Sequence, residues 1–201
     1  MKAVLKAFLL LVALIAAMLV VAFIWIGSRD MSAKAQPGRL ETVFARTMRS
    51  LAMPKSARDL NNPVAKSPEI VAAGMAHFAD HCAACHANDG SGETEIGLGL
   101  YPKPPDLRLA ATQSLTDGEL FYIIENGVRF TGMPAWSSGT DEGKEGTWHL
   151  VRFIRELPQL TPDQIGRMKA LNPRSPESVQ HPTEAGRLQG GGPGKPAPHK
   201  H

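Results

Sequence analysis

The stretch that decides the fold is Cys82-Ala83-Ala84-Cys85-His86, which contains both cysteines of the 201-residue chain. Residues i and i+3 lie on the same side of a helical turn, so the two thiols can bind the same group. The imidazole of His86 follows directly and projects toward that side. This spacing therefore predicts a group held jointly by two thiols and one imidazole.

The CxxCH spacing is the attachment signature of c-type haem. The two thiols can reach the two vinyl groups of one porphyrin, and the imidazole then points to the iron. We predict one haem c, bound covalently through Cys82 and Cys85, with His86 as an iron ligand. Covalent attachment suits a small domain with long loops, which often needs a cofactor to become stable.

Three alternatives explain the motif less well. A structural zinc site needs four ligands, and His77 and His81 are the nearest residues that could complete one. A redox-active CxxC of the thioredoxin type belongs in a βαβ context, and the chain has no convincing strand pattern. A disulfide accounts for the cysteine spacing but leaves His86 unexplained.

The second iron ligand is predicted in Gly132-Met133-Pro134. Pro134 restricts Met133 to an extended backbone, and Gly132 allows a close approach of the chain. The thioether of Met133 would then reach the iron from a loop, with His149 as the runner-up. Ligation by His86 and Met133 leaves no open iron site, which favours one-electron transfer over binding of a small molecule.

The region around the motif is predicted to be all-α with long loops. Each helix is marked by capping residues at its start or by a glycine or proline at its end. The predicted limits are Ser67 to about Asp80, Thr116 to Gly127, Asp141 or Thr147 to Leu157, and Thr161 to a point before Pro173.

The N-terminal part of the chain, residues 1–35, is predicted to be a membrane anchor. Ala7 to Gly27 is an uncharged apolar run of 21 residues, which spans about 31 Å as a helix. Lys2 and Lys6 precede it and favour a cytoplasmic N-terminus. A cleaved signal peptide is the alternative, with a cleavage pattern at Ala33-Lys34-Ala35. In both interpretations the rest of the chain is exported across the membrane.

Residues 36–66 are predicted to be a connector that contains an amphipathic helix. Arg39, Arg46 and Arg49 lie off its apolar face, and two placements stay open. The helix packs on the folded domain, or it rests on anionic lipid or a membrane partner. Pro54 and the segment 61–63 then break regular structure. The apolar face consists of Leu40, Val43, Phe44, Thr47, Met48 and Leu51.

Residues 159–201 are predicted to be a short helix followed by a disordered tail rich in Pro, Gly and His. Its His181, His199 and His201 could bind a metal weakly, but the composition favours a solvated segment. The net charge of +3 divides unevenly along the chain. Between residues 67 and 158 there are 13 acidic and six basic side chains, a net −7, so 16 of the 22 basic residues lie in the flanks. No aromatic residues alternate with them, which argues against nucleic-acid binding.

The stretch from Ser67 to Pro158 resembles class I monohaem cytochromes c of the membrane-anchored bacterial kind. The resemblance implies the cytochrome c fold, with three to four helices around a covalently bound haem. It covers less than half of the chain, and the anchor, connector and tail depart from it. The matching features are Gly74, Phe78, the motif 82–86, the segment from Asn126-Gly127 to Ala135-Trp136, and the helix 148–157.

The resemblance also implies roles for individual residues. In this family the first and last helices cross at a small glycine, so Gly74 and Phe78 are expected to meet Leu150 and Phe153. The carbonyl of Pro104 or Pro105 is expected to accept a hydrogen bond from the ligand histidine. The haem propionates need hydrogen-bond donors, for which the candidates are Tyr101, Arg108 and Trp136.

These features predict an electron-transfer protein rather than an enzyme. We expect a single-pass protein of a bacterial inner membrane, with its haem domain in the periplasm. It would shuttle electrons in a respiratory chain between a quinol-oxidising complex and a terminal oxidase. The alternatives are a fixed cytochrome subunit of a periplasmic dehydrogenase or oxidase, or a haem enzyme or gas sensor with an open iron site.

Overall fold

The computed structural model describes residues 2–28 and 32–173, and within these ranges the fold is all-α, without strands. A π-helical turn, Phe78–Cys82, joins the fourth helix to the fifth, and a 3-10 turn, Leu157–Gln159, follows the ninth. The helices are α1 Lys2–Gly27, α2 Arg39–Ala52, α3 Lys55–Arg58, α4 Pro68–His77, α5 Ala83–His86, α6 Glu95–Leu98, α7 Ala110–Gln113, α8 Asp117–Asn126, α9 Asp141–Glu156 and α10 Pro162–Lys169.

The predicted helix starts at Ser67 and Thr116 are confirmed by their caps. The Ser67 hydroxyl accepts a hydrogen bond from the amide of Ile70, 3.3 Å away. The Thr116 hydroxyl accepts from the Glu119 amide, and the Glu119 carboxylate accepts from the Thr116 amide in return, at 3.1 and 2.9 Å. These bonds satisfy amides that have no partner inside the helix.

The predicted end of the first domain helix at Asp80 is wrong for regular α-helix. α4 ends at His77, and the chain widens into the π turn before the motif begins. Such single turns are common at functional sites. The widening sets the direction in which Cys82 leaves the helix.

α4 and α9 cross in close contact at Gly74. A Cβ atom at this position would overlap the carbonyl oxygen of His149 and lie 2.9 Å from the Cβ of Phe153. Phe78 meets Phe153 with ring centroids 5.2 Å apart, and Leu150 is buried in the same core. The predicted crossing is therefore present, with His149 as an additional backbone contact.

α8 packs on α9 through stacked rings and an ion pair. Phe121 and Trp148 stack with their centroids 4.1 Å apart. The Arg155 guanidinium donates to Asp117 at the start of α8, at 2.8 Å. Because α4 and α8 both contact α9, the three helices enclose one core.

α1 is long and apolar enough to cross a membrane, and none of its residues is buried. A signal sequence near an N-terminus would meet the same criterion of length and composition. Arg29 and the rest of 29–31 lie outside the described residues, as does the tail 174–201 with its predicted disorder and its three histidines.

α2 has the predicted amphipathic pattern, but it contacts the domain through its polar side. The Tyr101 hydroxyl donates to Glu41 at 2.6 Å. The apolar face points outward, with Leu40 88% and Phe44 68% exposed. The helix therefore lies against the domain and still leaves its apolar face free for lipid or another protein.

The connector after α2 is more ordered than expected. The segment predicted to lack regular structure contains α3, and Ala57 within it is buried. Asn62 donates to the carbonyl of Trp148 at 3.0 Å, and Arg152 donates to the carbonyl of Val64 at 2.7 Å. These bonds attach the connector to the outer side of α9.

The helix crossing gives a direct stability test. Gly74→Ala should lower the free energy of unfolding by about 1–3 kcal/mol, because the added methyl group overlaps the α9 backbone. Gly166→Ala in α10 is the matched control, since a Cβ there would meet nothing within 4 Å. Denaturant unfolding followed by circular dichroism measures both. Equal stability of the two variants would show that the crossing is not tight.

Candidate functional site

The two cysteines of the motif lie side by side at the end of the π turn. Cys82 closes that turn and Cys85 lies in α5; both thiols are free. Both line one cavity. Burial raises the pKa of the Cys82 thiol to about 12, and the neighbouring Cys85 adds to the rise. Without a bound group, the Cys82 thiol therefore stays protonated at neutral pH.

His86 ends α5 and lines the same cavity. Burial lowers the pKa of its imidazole, while the backbone of Pro105 opposes the shift. The Nδ1 atom is buried and makes no hydrogen bond of regular geometry, so Pro105 approaches the ring closely without bonding to it. The lowered pKa keeps the ring neutral at neutral pH, which is the form that binds a metal.

The cavity lies between the motif and the core of the three main helices. It is partly open to solvent, and the space within reach of a water molecule's centre measures about 220 Å³. Its walls are mainly apolar and come from the π turn, α5, α8, α9 and the loops between them. The larger apolar side chains in these walls are Phe78, Leu107, Leu120, Ile124, Leu150 and Ile154.

Met133 lines the cavity from the loop that follows α8. Its amide donates to the Thr131 hydroxyl at 3.1 Å, and its carbonyl accepts from the Val128 amide at 3.1 Å. The amide of Trp136 donates to the carbonyl of Ile124 at 3.1 Å. These bonds fold the loop back on the end of α8 and hold the thioether at the cavity.

Gly127 makes this fold of the loop possible. Its φ is +66° and its ψ is −170°, a backbone region that is essentially restricted to glycine. A Cβ there would also lie 2.7 Å from the carbonyl oxygen of Met133. The predicted helix end at Gly127 is therefore also the point that directs Met133 back toward the motif.

Other candidates for the iron site receive less support. His149 lies at the α4–α9 crossing outside the cavity lining, with its Nε2 3.7 Å from a carboxylate oxygen of Glu145. Across residues 2–28 and 32–173, no group of three or more His, Cys, Asp or Glu side chains could hold a metal ion. The zinc alternative, with His77 and His81 as ligands, thus lacks the ligands it needs.

Pro104 and Pro105 are the two expected partners of the ligand histidine. Pro104 and Pro105 both line the cavity. The carbonyl oxygen of Pro104 lies 2.8 Å from the point where a Cβ on Gly92 would be, whereas the Pro105 backbone acts on His86. Of the two prolines, Pro105 is the one whose backbone acts on the His86 imidazole.

The predicted propionate donors separate into two kinds. Trp136 lines the cavity and packs edge-on against His81, with centroids 5.5 Å apart. Tyr101 and Arg108 lie outside the lining. Arg108 is bound by Asp106 at 2.7 Å and by Asp89 at 2.9 Å. Two local carboxylates already bind the guanidinium of Arg108, and its role as a propionate donor stays a prediction.

The sequence analysis missed two cavity-lining residues, Arg46 and Arg49 of α2. Their spacing of three residues puts them on one side of the helix, away from the apolar face. That pattern showed which face is basic. The sequence did not show that this basic face would meet the cavity.

The residues around the cavity fit a covalently bound haem. Two thiols and one neutral imidazole lie at one end of an apolar space, and a thioether held by a folded loop lines the same space. Each of these groups bonds to a porphyrin edge or to iron in c-type haem proteins. The buried Nδ1 atom of His86, close to the Pro105 carbonyl, fits an imidazole whose other nitrogen binds the iron.

Comparison with known proteins agrees with this chemistry. A family model described as "Cytochrome C oxidase, cbb3-type, subunit III" matches residues 69–154. No curated protein matches the chain. The matched range contains the CxxCH motif, Gly127 and Met133, together with all of α8 and most of α4 and α9. Residues 69–154 therefore form a c-type cytochrome domain.

Proposed function

We propose that this chain is a membrane-tethered monohaem cytochrome c that transfers single electrons at the periplasmic face of a bacterial inner membrane. The observation that carries the proposal is the joint presence of His86 and Met133 in the cavity that also contains both cysteine thiols. A haem bound there supplies reversible one-electron chemistry at its iron. Cys82 and Cys85 hold it through thioether bonds.

His86 and Met133 would be the two protein ligands of the haem iron. The neutral imidazole of His86 would need no deprotonation before it binds iron. Met133 is held by hydrogen bonds at both its amide and its carbonyl, which would keep its thioether at the iron. With both of these ligands supplied by the chain, an exogenous ligand would find no vacant site, and the role would be electron transfer rather than catalysis.

The position of α1 and the distribution of charge support a tethered carrier. α1 is long and apolar enough to anchor the chain, and Lys2 and Lys6 favour a cytoplasmic N-terminus. The region 67–158 then lies on the exported side. Its net charge of −7 suits transient docking on a basic partner surface, such as that of a quinol-oxidising complex or a terminal oxidase.

A second candidate is a fixed cytochrome subunit of a periplasmic dehydrogenase or oxidase. The observation that favours it is the outward apolar face of α2, where Val43 is 63% and Leu51 73% exposed. The name of the matching family, an oxidase subunit, points the same way. In this role α1 and α2 together would form the assembly surface.

Ligation by Met133 separates electron transfer from an open-site enzyme or gas sensor. The oxidised wild-type protein should show the weak near-infrared absorption of an iron–methionine bond, and Met133→Ala should abolish it. Met48→Ala is the matched control, because Met48 is 48% exposed on α2. It should leave the band unchanged. A wild-type protein without the band, or a band that survives in Met133→Ala, would contradict the proposed ligand.

The two electron-transfer roles differ in whether another protein permanently covers the apolar face of α2. A carrier solubilised from its native membrane in mild detergent should migrate with its detergent as a lone chain of 21.6 kDa. A fixed subunit should comigrate with a larger complex, and Phe44→Ser should release it, whereas Ala45→Ser beside the apolar face should not. Native electrophoresis with haem detection separates these outcomes. Comigration that depends on Phe44 would replace the carrier assignment by the subunit assignment.

A further inference from the structure

The charges that line the cavity are all of one sign. The cavity is lined by Arg46 and Arg49 of α2 and by Lys103 of the loop 101–106. The other titratable residues in the lining are His81, the two cysteines and His86. No Asp or Glu belongs to this lining in the described part of the chain. The surrounding region 67–158 has a net charge of −7, so the cavity lining differs from the rest of the domain in having no carboxylates.

Within the described ranges neither Arg46 nor Arg49 forms a salt bridge, although the carboxylate of Glu119, 3.9 Å from Arg58, acts on Arg49 and opposes the lowering of its pKa. Other carboxylates of the domain pair with other cations: Asp117 with Arg155, and Asp106 with Arg108. Arg49 is half-buried, and burial lowers the pKa of its guanidinium, with a further contribution from Arg46. A partly desolvated guanidinium with a second one nearby, here that of the exposed Arg46, is unfavourable unless an anion lies beside it.

α2 is held so that these two side chains stay at the cavity. At its N-terminal half, Glu41 accepts a hydrogen bond from Tyr101. Beyond its C-terminal end, Met53 is 5% exposed, and Thr116 donates to the carbonyl of Arg58 at 3.0 Å. Gly118 of α8 lets the carbonyl of Ala57 approach so closely that a Cβ would overlap it. The helix is therefore fixed at both ends by the domain.

We propose that Arg46 and Arg49 bind the two propionate groups of the haem. The inference rests on the proposed function, since it requires a haem in the cavity. Propionates are the only charged substituents of the porphyrin, and a guanidinium binds a carboxylate through two parallel hydrogen bonds. α2 lies before residue 69, so the haem site extends beyond the part of the chain that the family model matches.

The pairing has two consequences for the iron. Positive charge near the haem disfavours the more positively charged ferric state, so Arg46 and Arg49 raise the midpoint potential. Each guanidinium also keeps its propionate ionised by lowering the pKa of that carboxyl. Without the arginines, the propionates become protonated at a higher pH than in wild type. This protonation removes negative charge near the iron, so the midpoint potential rises as the pH is lowered.

The test uses the full haem-loaded chain in detergent and the variants Arg46→Gln, Arg49→Gln and both together. The midpoint potential is measured by redox titration over a series of pH values. We expect the Gln variants to have a lower midpoint potential than wild type at pH 7. As the pH is lowered, their potential should begin to rise at a higher pH than that of wild type. Arg49→Lys should restore part of the potential, because it restores the charge without the bidentate geometry.

Arg39→Gln is the matched control, because it removes the same charge from the same helix at a residue outside the cavity lining. It should leave the potential and its pH profile as in wild type. The inference is overturned if the haem-loaded Gln variants keep the wild-type profile, or if Arg39→Gln shifts it equally. If the double variant does not accumulate, the single variants give the same result. A wild-type chain that never binds haem covalently would instead refute the proposed function.

Discussion

The close crossing of α4 and α9 at Gly74 is the constraint on which the haem site depends. α4 leads through the π turn directly to Cys82, so the contact at Gly74 fixes where the motif emerges. α9 in turn supports α8 through the Arg155–Asp117 pair and the stacked rings of Phe121 and Trp148. α8 ends at Gly127, whose backbone sends Met133 back to the cavity. A displacement of α4 relative to α9 would therefore change the distance between the motif and Met133.

The regular helices could be predicted from the sequence because their signals are local. Ser67 and Thr116 carry their caps within three residues, and the heptad-like apolar spacing of α2 is visible without a fold. The single turns α3, α6 and α7 were missed. Four residues are too few to show a periodic pattern, and each turn forms only where the surrounding chain holds it.

The residues of the candidate site also divide into those that local sequence signals identify and those that depend on the fold. Cys82, Cys85 and His86 follow from spacing alone, and Gly132-Met133-Pro134 identifies a loop methionine that lines the cavity. Arg108 was a reasonable propionate donor by its charge, but Asp106, two residues earlier, binds it. Arg46 and Arg49 could not be found, because their position depends on how α2 lies against the domain. The apolar face of that helix is visible in the sequence pattern, whereas the basic face is the one that meets the cavity.

Covalent attachment is the central claim, and one measurement addresses it directly. The full chain, expressed with a haem c maturation system, is separated by denaturing electrophoresis and stained for haem peroxidase activity. Attachment through Cys82 and Cys85 predicts that the stain stays with the 21.6 kDa chain and is lost from the double variant Cys82→Ser, Cys85→Ser. A wild-type chain that releases its haem on denaturation would contradict the account.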